Sequence, residues 1–88
     1  MNVVFLIDSG SPASYLSGKV MDALIGRHVP QLPVMIQSHT VIRCNLSPPD
    51  KHFVDVNVLG ADFLVANGLS LNANYSSKIC TLMIEEDE

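Results

Sequence analysis

The run Val3-Val4-Phe5-Leu6-Ile7, cut short by Asp8-Ser9-Gly10-Ser11-Pro12, restricts this chain's fold more than any other stretch. An apolar run of this length with no polar break fits a β-strand buried on both faces. The residues that follow it are those that hold tight turns, since short polar side chains bond nearby backbone and glycine and proline accept bent conformations. Read by themselves, Asp8 and its neighbours tie up loose backbone groups after the strand.

The rest of the chain is punctuated at similar intervals. Leu16, Val20, Met21, Leu24 and Ile25 fall near helical spacing, which predicts a short helix over Ser17 to Ile25, with Ser14 or Ser17 as its cap and Gly26 as its stop. Pro30 and Pro33 read as linker residues. Val34-Met35-Ile36 and Val41-Ile42-Arg43-Cys44 flank Gln37-Ser38-His39-Thr40, the pattern of a β-hairpin, and this makes His39 a turn or edge residue instead of a catalytic base. Pro48 and Pro49 exclude a central strand there. Phe53 to Leu59 alternates apolar and polar positions as a strand does. Asp62 is placed to cap a helix from Phe63 to Asn67, ended by Gly68. Leu69 to Ala73 and Ile79 to Ile84 read as further strands. The sum is a single domain over residues 1–88, mostly β with one or two short helices, and a frayed acidic tail over 84–88.

A chain of 88 residues buries a smaller fraction of its surface than a typical domain. Such domains are commonly supplemented by disulfides, a metal or self-association. Cys44 and Cys80 show no paired spacing, and His28, His39 and His52 do not cluster, so no metal site is expected. The two cysteines read as buried thiols or as a single intrachain disulfide. Self-association is the supplement that remains. The net charge of -4 and five scattered basic residues argue against direct binding of nucleic acid. No apolar run is long enough to span a bilayer, and no basic stretch precedes a long apolar core at the N-terminus. The expected setting is intracellular and cytoplasmic, without membrane contact.

Two segments taken together are more specific. The order of apolar strand, Asp8-Ser9-Gly10, and then a distant Val58-Leu59-Gly60-Ala61-Asp62-Phe63-Leu64 resembles the retropepsin family, the aspartic proteases of retroviruses and long-terminal-repeat retrotransposons. That family's pattern is a hydrophobic strand, Asp, Thr or Ser, and Gly, followed much later by an apolar-apolar-Gly strand end and a short helix. The resemblance covers most of the chain. It implies a small acid-protease half-barrel that serves as one subunit of a homodimeric aspartic endopeptidase. Asp8 is then the catalytic acid. Of the six aspartates it alone is followed by Ser-Gly, so one chain carries half of a carboxylate pair. Ser9 and Gly10 support the catalytic loop, the hydroxyl bracing the two loops and the glycine admitting close backbone approach. The substrate is a polypeptide, and no cofactor or metal is implied. Asp62 is read as a structural helix cap and Asp22 as a solvated helix residue.

The chain departs from the family pattern in three places. No glycine-rich flap hairpin is evident, since only eight residues separate Ile25 from Val34 and Gly26 is their sole glycine. Few residues precede Asp8, where the family has further strands. Ser11-Pro12-Ala13 stands where many members carry an acidic residue that holds substrate backbone. The alternative is therefore a retropepsin-like module that no longer cuts, and instead dimerises or binds a peptide ligand.

Overall fold

The computed structural model describes residues 1–48, 56–66 and 78–87. Six strands and two helices follow in the order β1 (Asn2–Ile7), β2 (Tyr15–Leu16), α1 (Gly18–Ile25), β3 (Gln31–Ile36), β4 (Thr40–Leu46), β5 (Asn57–Leu59), α2 (Ala61–Ala66) and β6 (Lys78–Glu86). The strands close into a barrel ordered β1-β5-β2-β4-β3-β6. β1 lies parallel to β5, and β2 parallel to β4, while the remaining pairs run antiparallel. The mostly-β reading with two short helices is thus what the fold shows.

Side-chain alternation along each strand builds the core. Val3 and Phe5 of β1, Leu32, Val34 and Ile36 of β3, and Ile42 and Cys44 of β4 point inward. Leu59, Leu64, Met21 and Ile84 complete the packed interior, each fully buried. β1 does not meet the expectation of burial on both faces, because Val4 is 57% exposed. Its inner face fills the barrel, whereas its outer face has no covering layer among the described residues. An unbroken apolar run conceals this difference because hydrophobicity alone carries no parity.

Helix α1 begins where Ser17 accepts the Val20 amide through its hydroxyl at 3.3 Å. It ends where Gly26, at φ +72°, donates its amide to the Asp22 carbonyl at 2.8 Å. Both residues sit where the sequence puts them, and of the two serines Ser17 is the cap. The hairpin of β3 and β4 is paired from Gln31↔Asn45 to Ile36↔Thr40. Pro33 is not linker punctuation but part of β3, opposite Arg43. In a strand the amide and carbonyl of one residue face the same neighbour, and the Pro33 carbonyl accepts from Asp87 on the β6 side. The β6 register ends at Val34↔Glu86, so the missing proline donor falls just beyond the ladder.

The acidic tail also differs from expectation. Glu85 and Glu86 are not frayed but lie in β6, opposite Met35 and Val34, with Ile84 fully buried beside them. Closing the barrel requires β6 to bridge β1 and β3, and that bridge extends to Glu86. Helix α2 starts at Ala61, one residue before the expected cap. The carbonyl of Gly60 accepts the Phe63 amide at 3.1 Å, so the helix entry is set by Gly60 and Asp62 lies inside the first turn. The expected strand before Asn57, the Gly68 stop and the strand over Leu69 to Ala73 lie outside the described residues.

Candidate active site

The parallel pairing of β1 with β5 brings the two sequence motifs side by side, with Leu6 opposite Val58 and Ile7 opposite Leu59. Asp8 follows directly at the end of β1, and its amide donates to the Leu59 carbonyl at 2.9 Å. The chain then turns sharply. The Ser11 amide donates to the Asp8 carbonyl at 3.1 Å, and the Gly10 amide donates to Oδ1 of the Asp8 carboxylate at 2.9 Å. Aspartate followed by serine and glycine folds this way locally, because the short side chain reaches an amide two residues ahead. A Cβ at Gly10 would stand 3.2 Å from Oδ1 of Asp8, so the close approach that favours glycine is to the carboxylate itself. Ser9 occupies the bend between them and is half-buried.

The Asp8 carboxylate is exposed on the wall of a cleft of about 310 Å³. Leu6, Tyr15, Val58 and Pro48 form its apolar part, and Ser11 and Ser47 its polar edge. Asp8 is the one acidic side chain among these lining residues. Leu6 and Asp8 share a face of β1 by alternation, which explains how a strand end can present an acid beside an apolar wall.

The turn is fastened to the junction of β5 and α2 at several points. The Ala61 amide donates to the Ser11 carbonyl at 2.7 Å. The Gly60 amide donates to the Ser14 hydroxyl oxygen at 3.0 Å. Ser14 in turn donates its hydroxyl to Oδ1 of Asp62 at 2.6 Å and its amide to Oδ2 at 3.1 Å. A Cβ at Gly60 would lie 2.4 Å from the carbonyl oxygens of both Ser11 and Ala13, a separation that only glycine allows. At the start of β5, buried Asn57 accepts the Ser17 amide at 2.8 Å and donates to the Val4 carbonyl at 3.3 Å, joining β5 to α1 and β1.

Gly60, from the second motif of the resemblance, thus packs against the turn that carries Asp8, as does Ser14, which the sequence reading did not assign there. Ser14 carried a signal as a possible helix cap, but the partner it takes is 48 residues away. Asp62 does donate its charge to the first turn of α2, and Oδ1 accepts the Phe63 amide at 2.8 Å. Its larger engagement is with Ser14. Asp22 is on the exposed face of α1, 3.2 Å from His28.

The hairpin tip lies away from this cleft. Gln37 donates its amide to the Met83 carbonyl at 2.8 Å and accepts the Met83 amide through Oε1 at 2.9 Å. Met83 pairs with Asn2, at the opposite end of β1 from Asp8. A strand rises about 3.3 Å per residue, so the tip is roughly 20 Å along the barrel from the carboxylate. His39 at that tip is exposed and hydrogen-bonds Thr40 through Nδ1 at 2.7 Å.

Both cysteines are free thiols. Burial, reinforced by the Asp62 charge, pushes the Cys44 thiol up to about 12. Burial also raises Cys80. Neither is primed as a nucleophile, which requires a lowered thiol pKa. Among the described residues no group of three His, Cys, Asp or Glu side chains is arranged to hold a metal ion, and no helix is long and apolar enough to cross a membrane. Comparison with protein families, curated proteins and solved structures gives no match.

Proposed function

We propose that this chain is one subunit of a retropepsin-like aspartic endopeptidase of retroelement type, active as a homodimer. The observation that carries the reading is the placement of Asp8. It stands at the end of a core strand, in a turn fastened to the Leu59-Gly60 strand end, with its carboxylate open to an apolar cleft. A carboxylate that merely finished a turn would need neither the cleft nor the glycine packed beneath that turn.

One chain supplies one acid, and peptide hydrolysis of this kind needs two. An isologous dimer brings Asp8 to face Asp8 of a second copy. Two carboxyl groups about 3 Å apart cannot both ionise and share one proton. The ionised member takes a proton from water as it attacks the scissile carbonyl, and the protonated member polarises that carbonyl. The pair titrates as a unit, with the fastest cleavage at mildly acidic pH. Ser9 braces the two turns across the symmetry axis. Leu6, Tyr15 and Val58 receive the apolar parts of a polypeptide substrate. Free thiols at Cys44 and Cys80 fit a reducing, intracellular setting.

The second reading is a module that keeps the fold and binds a peptide or a second copy without cutting. The hairpin tip favours it, since it is bound to β6 and does not lie over the cleft as a lid would. A hairpin held away from the cleft contributes neither water exclusion nor substrate positioning there.

Cleavage of a mixed peptide library between about pH 4 and 7, with wild type and Asp8→Asn side by side, separates the two. The substitution keeps the shape and removes the ionisable group. Cleavage lost in the variant supports the protease. No cleavage by wild type at concentrations where it is dimeric rejects it in favour of the binding module.

A further inference from the structure

We infer that Ser14 and Asp62 are positioning residues for Asp8, a clamp that holds the acid-bearing turn in register with the β5–α2 junction. The inference rests on the reading of Asp8 as the catalytic carboxylate. A carboxylate in the first turn of a helix ordinarily serves that helix's own amides. Asp62 accepts three donors, and two of them, the amide and the hydroxyl of Ser14, come from the far end of the Asp8 turn.

Ser14 is fully buried, and its hydroxyl oxygen also accepts the Gly60 amide. One side chain therefore joins α2, the end of β5 and the turn. Asp8 is bonded to Leu59 at the start of the turn, and Ser11 to Ala61 at its middle. The Ser14–Asp62 pair closes the far end. The Ser14 carbonyl also accepts the Asn45 amide at 2.9 Å and the Asn45 side-chain amide at 3.2 Å. Without the pair, the turn therefore keeps its bonds at Leu59, Ala61 and Asn45 but loses the tie between its far end and α2. Removing Ser14 or Asp62 thus alters the aim of the carboxylate without touching the cleft wall. Neither residue lines the cleft, so substrate affinity is not their concern.

The test uses Ser14→Ala, Asp62→Ala and the shape-preserving Asp62→Asn in the full chain, with the folded fraction fixed by circular dichroism. In peptide cleavage, Ser14→Ala and Asp62→Ala are expected to lower kcat by about tenfold or more while KM stays within about twofold, the signature of lost transition-state alignment. Asp62→Asn, which keeps one acceptor for Ser14, falls between them and wild type. In parallel, amide hydrogen exchange at Gly10 and Ser11 is expected to quicken about tenfold, with the β3–β4 amides unchanged. Should Asp62→Ala not fold, Asp62→Asn and Ser14→Ala carry the same comparison.

An unchanged kcat per folded molecule, or unchanged exchange at Gly10 and Ser11, overturns the clamp. If wild type cleaves nothing, the proposed activity fails and the exchange measurement alone decides. Faster exchange confined to the turn then upholds the clamp as the device that orders Asp8, and unchanged exchange rejects it.

Discussion

Gly60 is the residue on which the surroundings of Asp8 depend most directly. Its cost on substitution is steric, since two backbone carbonyl oxygens, those of Ser11 and Ala13, occupy the space of a Cβ. Backbone cannot rotate away as a flexible side chain can. Gly60→Ala is expected to destabilise the fold by about 3 kcal/mol, within the range for overpacked sites, and thermal unfolding measures it. Cys44 makes a prediction of a different kind. Its folded-state thiol is raised to about 12, chiefly by burial, whereas an exposed thiol in the unfolded chain ionises at an ordinary value. The neutral thiol therefore favours the folded state fully below the ordinary value, and that contribution is lost as pH rises towards about 12. The expected slope is about 1.4 kcal/mol per pH unit above roughly pH 9. Urea melts of wild type and Cys44→Ala between about pH 8 and 10.5 check it. The variant, less stable at neutral pH, should lose less stability across that interval, and parallel curves would count against the assignment.

The elements differ in how plainly the sequence announced them. Helix α1 was legible because both of its ends are chemical: a serine that caps and a glycine that accepts a left-handed φ. The β3–β4 hairpin was legible from its two apolar runs, although Pro33 obscured where β3 starts. Strand β2 was not legible, because two residues carry no periodicity and its pairing with β4 and β5 is wholly tertiary. The inward and outward faces of β1 were hidden by its continuous hydrophobicity. Asp8, Ser9 and Gly10 could be singled out as a group from their order after a strand. The link from the end of their turn, Ser14, to Asp62 could not, since no local pattern joins residues 48 positions apart. The hairpin carries its own prediction. Gln37 and Ser38 have φ values of 55° and 62°, and neither is glycine. These are the two central positions of a turn that favours Asn-Gly. Gln37 is retained by its bonds to Met83, so Ser38 is the residue to change. Ser38→Gly is expected to stabilise the fold by about 0.5 to 1 kcal/mol, once the larger unfolded-state entropy of glycine is deducted. Differential scanning calorimetry would register this as a rise in Tm of a few degrees.

For the molecule as a whole, the outer face of β1 and β6 is an exposed apolar surface beside the proposed site. Val4 is 57% and Ile79 73% exposed, and Leu6, opposite Ile79 across the strands, lines the Asp8 cleft. In the proposed dimer, a second copy that brings its own Asp8 would approach this side of the barrel. Ile79→Asp is therefore expected to shift sedimentation from dimer to monomer and to abolish cleavage, while far-UV circular dichroism stays as in wild type. A variant that remains dimeric would place the interface elsewhere. The strand order has a further consequence, for the time before the fold exists. β1 precedes every other described strand, yet its neighbours β5 and β6 begin only at Asn57 and Lys78. While the polypeptide is being made, one edge of β1 stays bare until β5 has been synthesised and the other until β6 has. Contacts this distant in sequence slow folding and lengthen the exposure of unpaired edges. A nascent chain held short of β6 is thus expected to need a chaperone, or an early companion chain, to keep Val3 to Ile7 from pairing with the wrong strand.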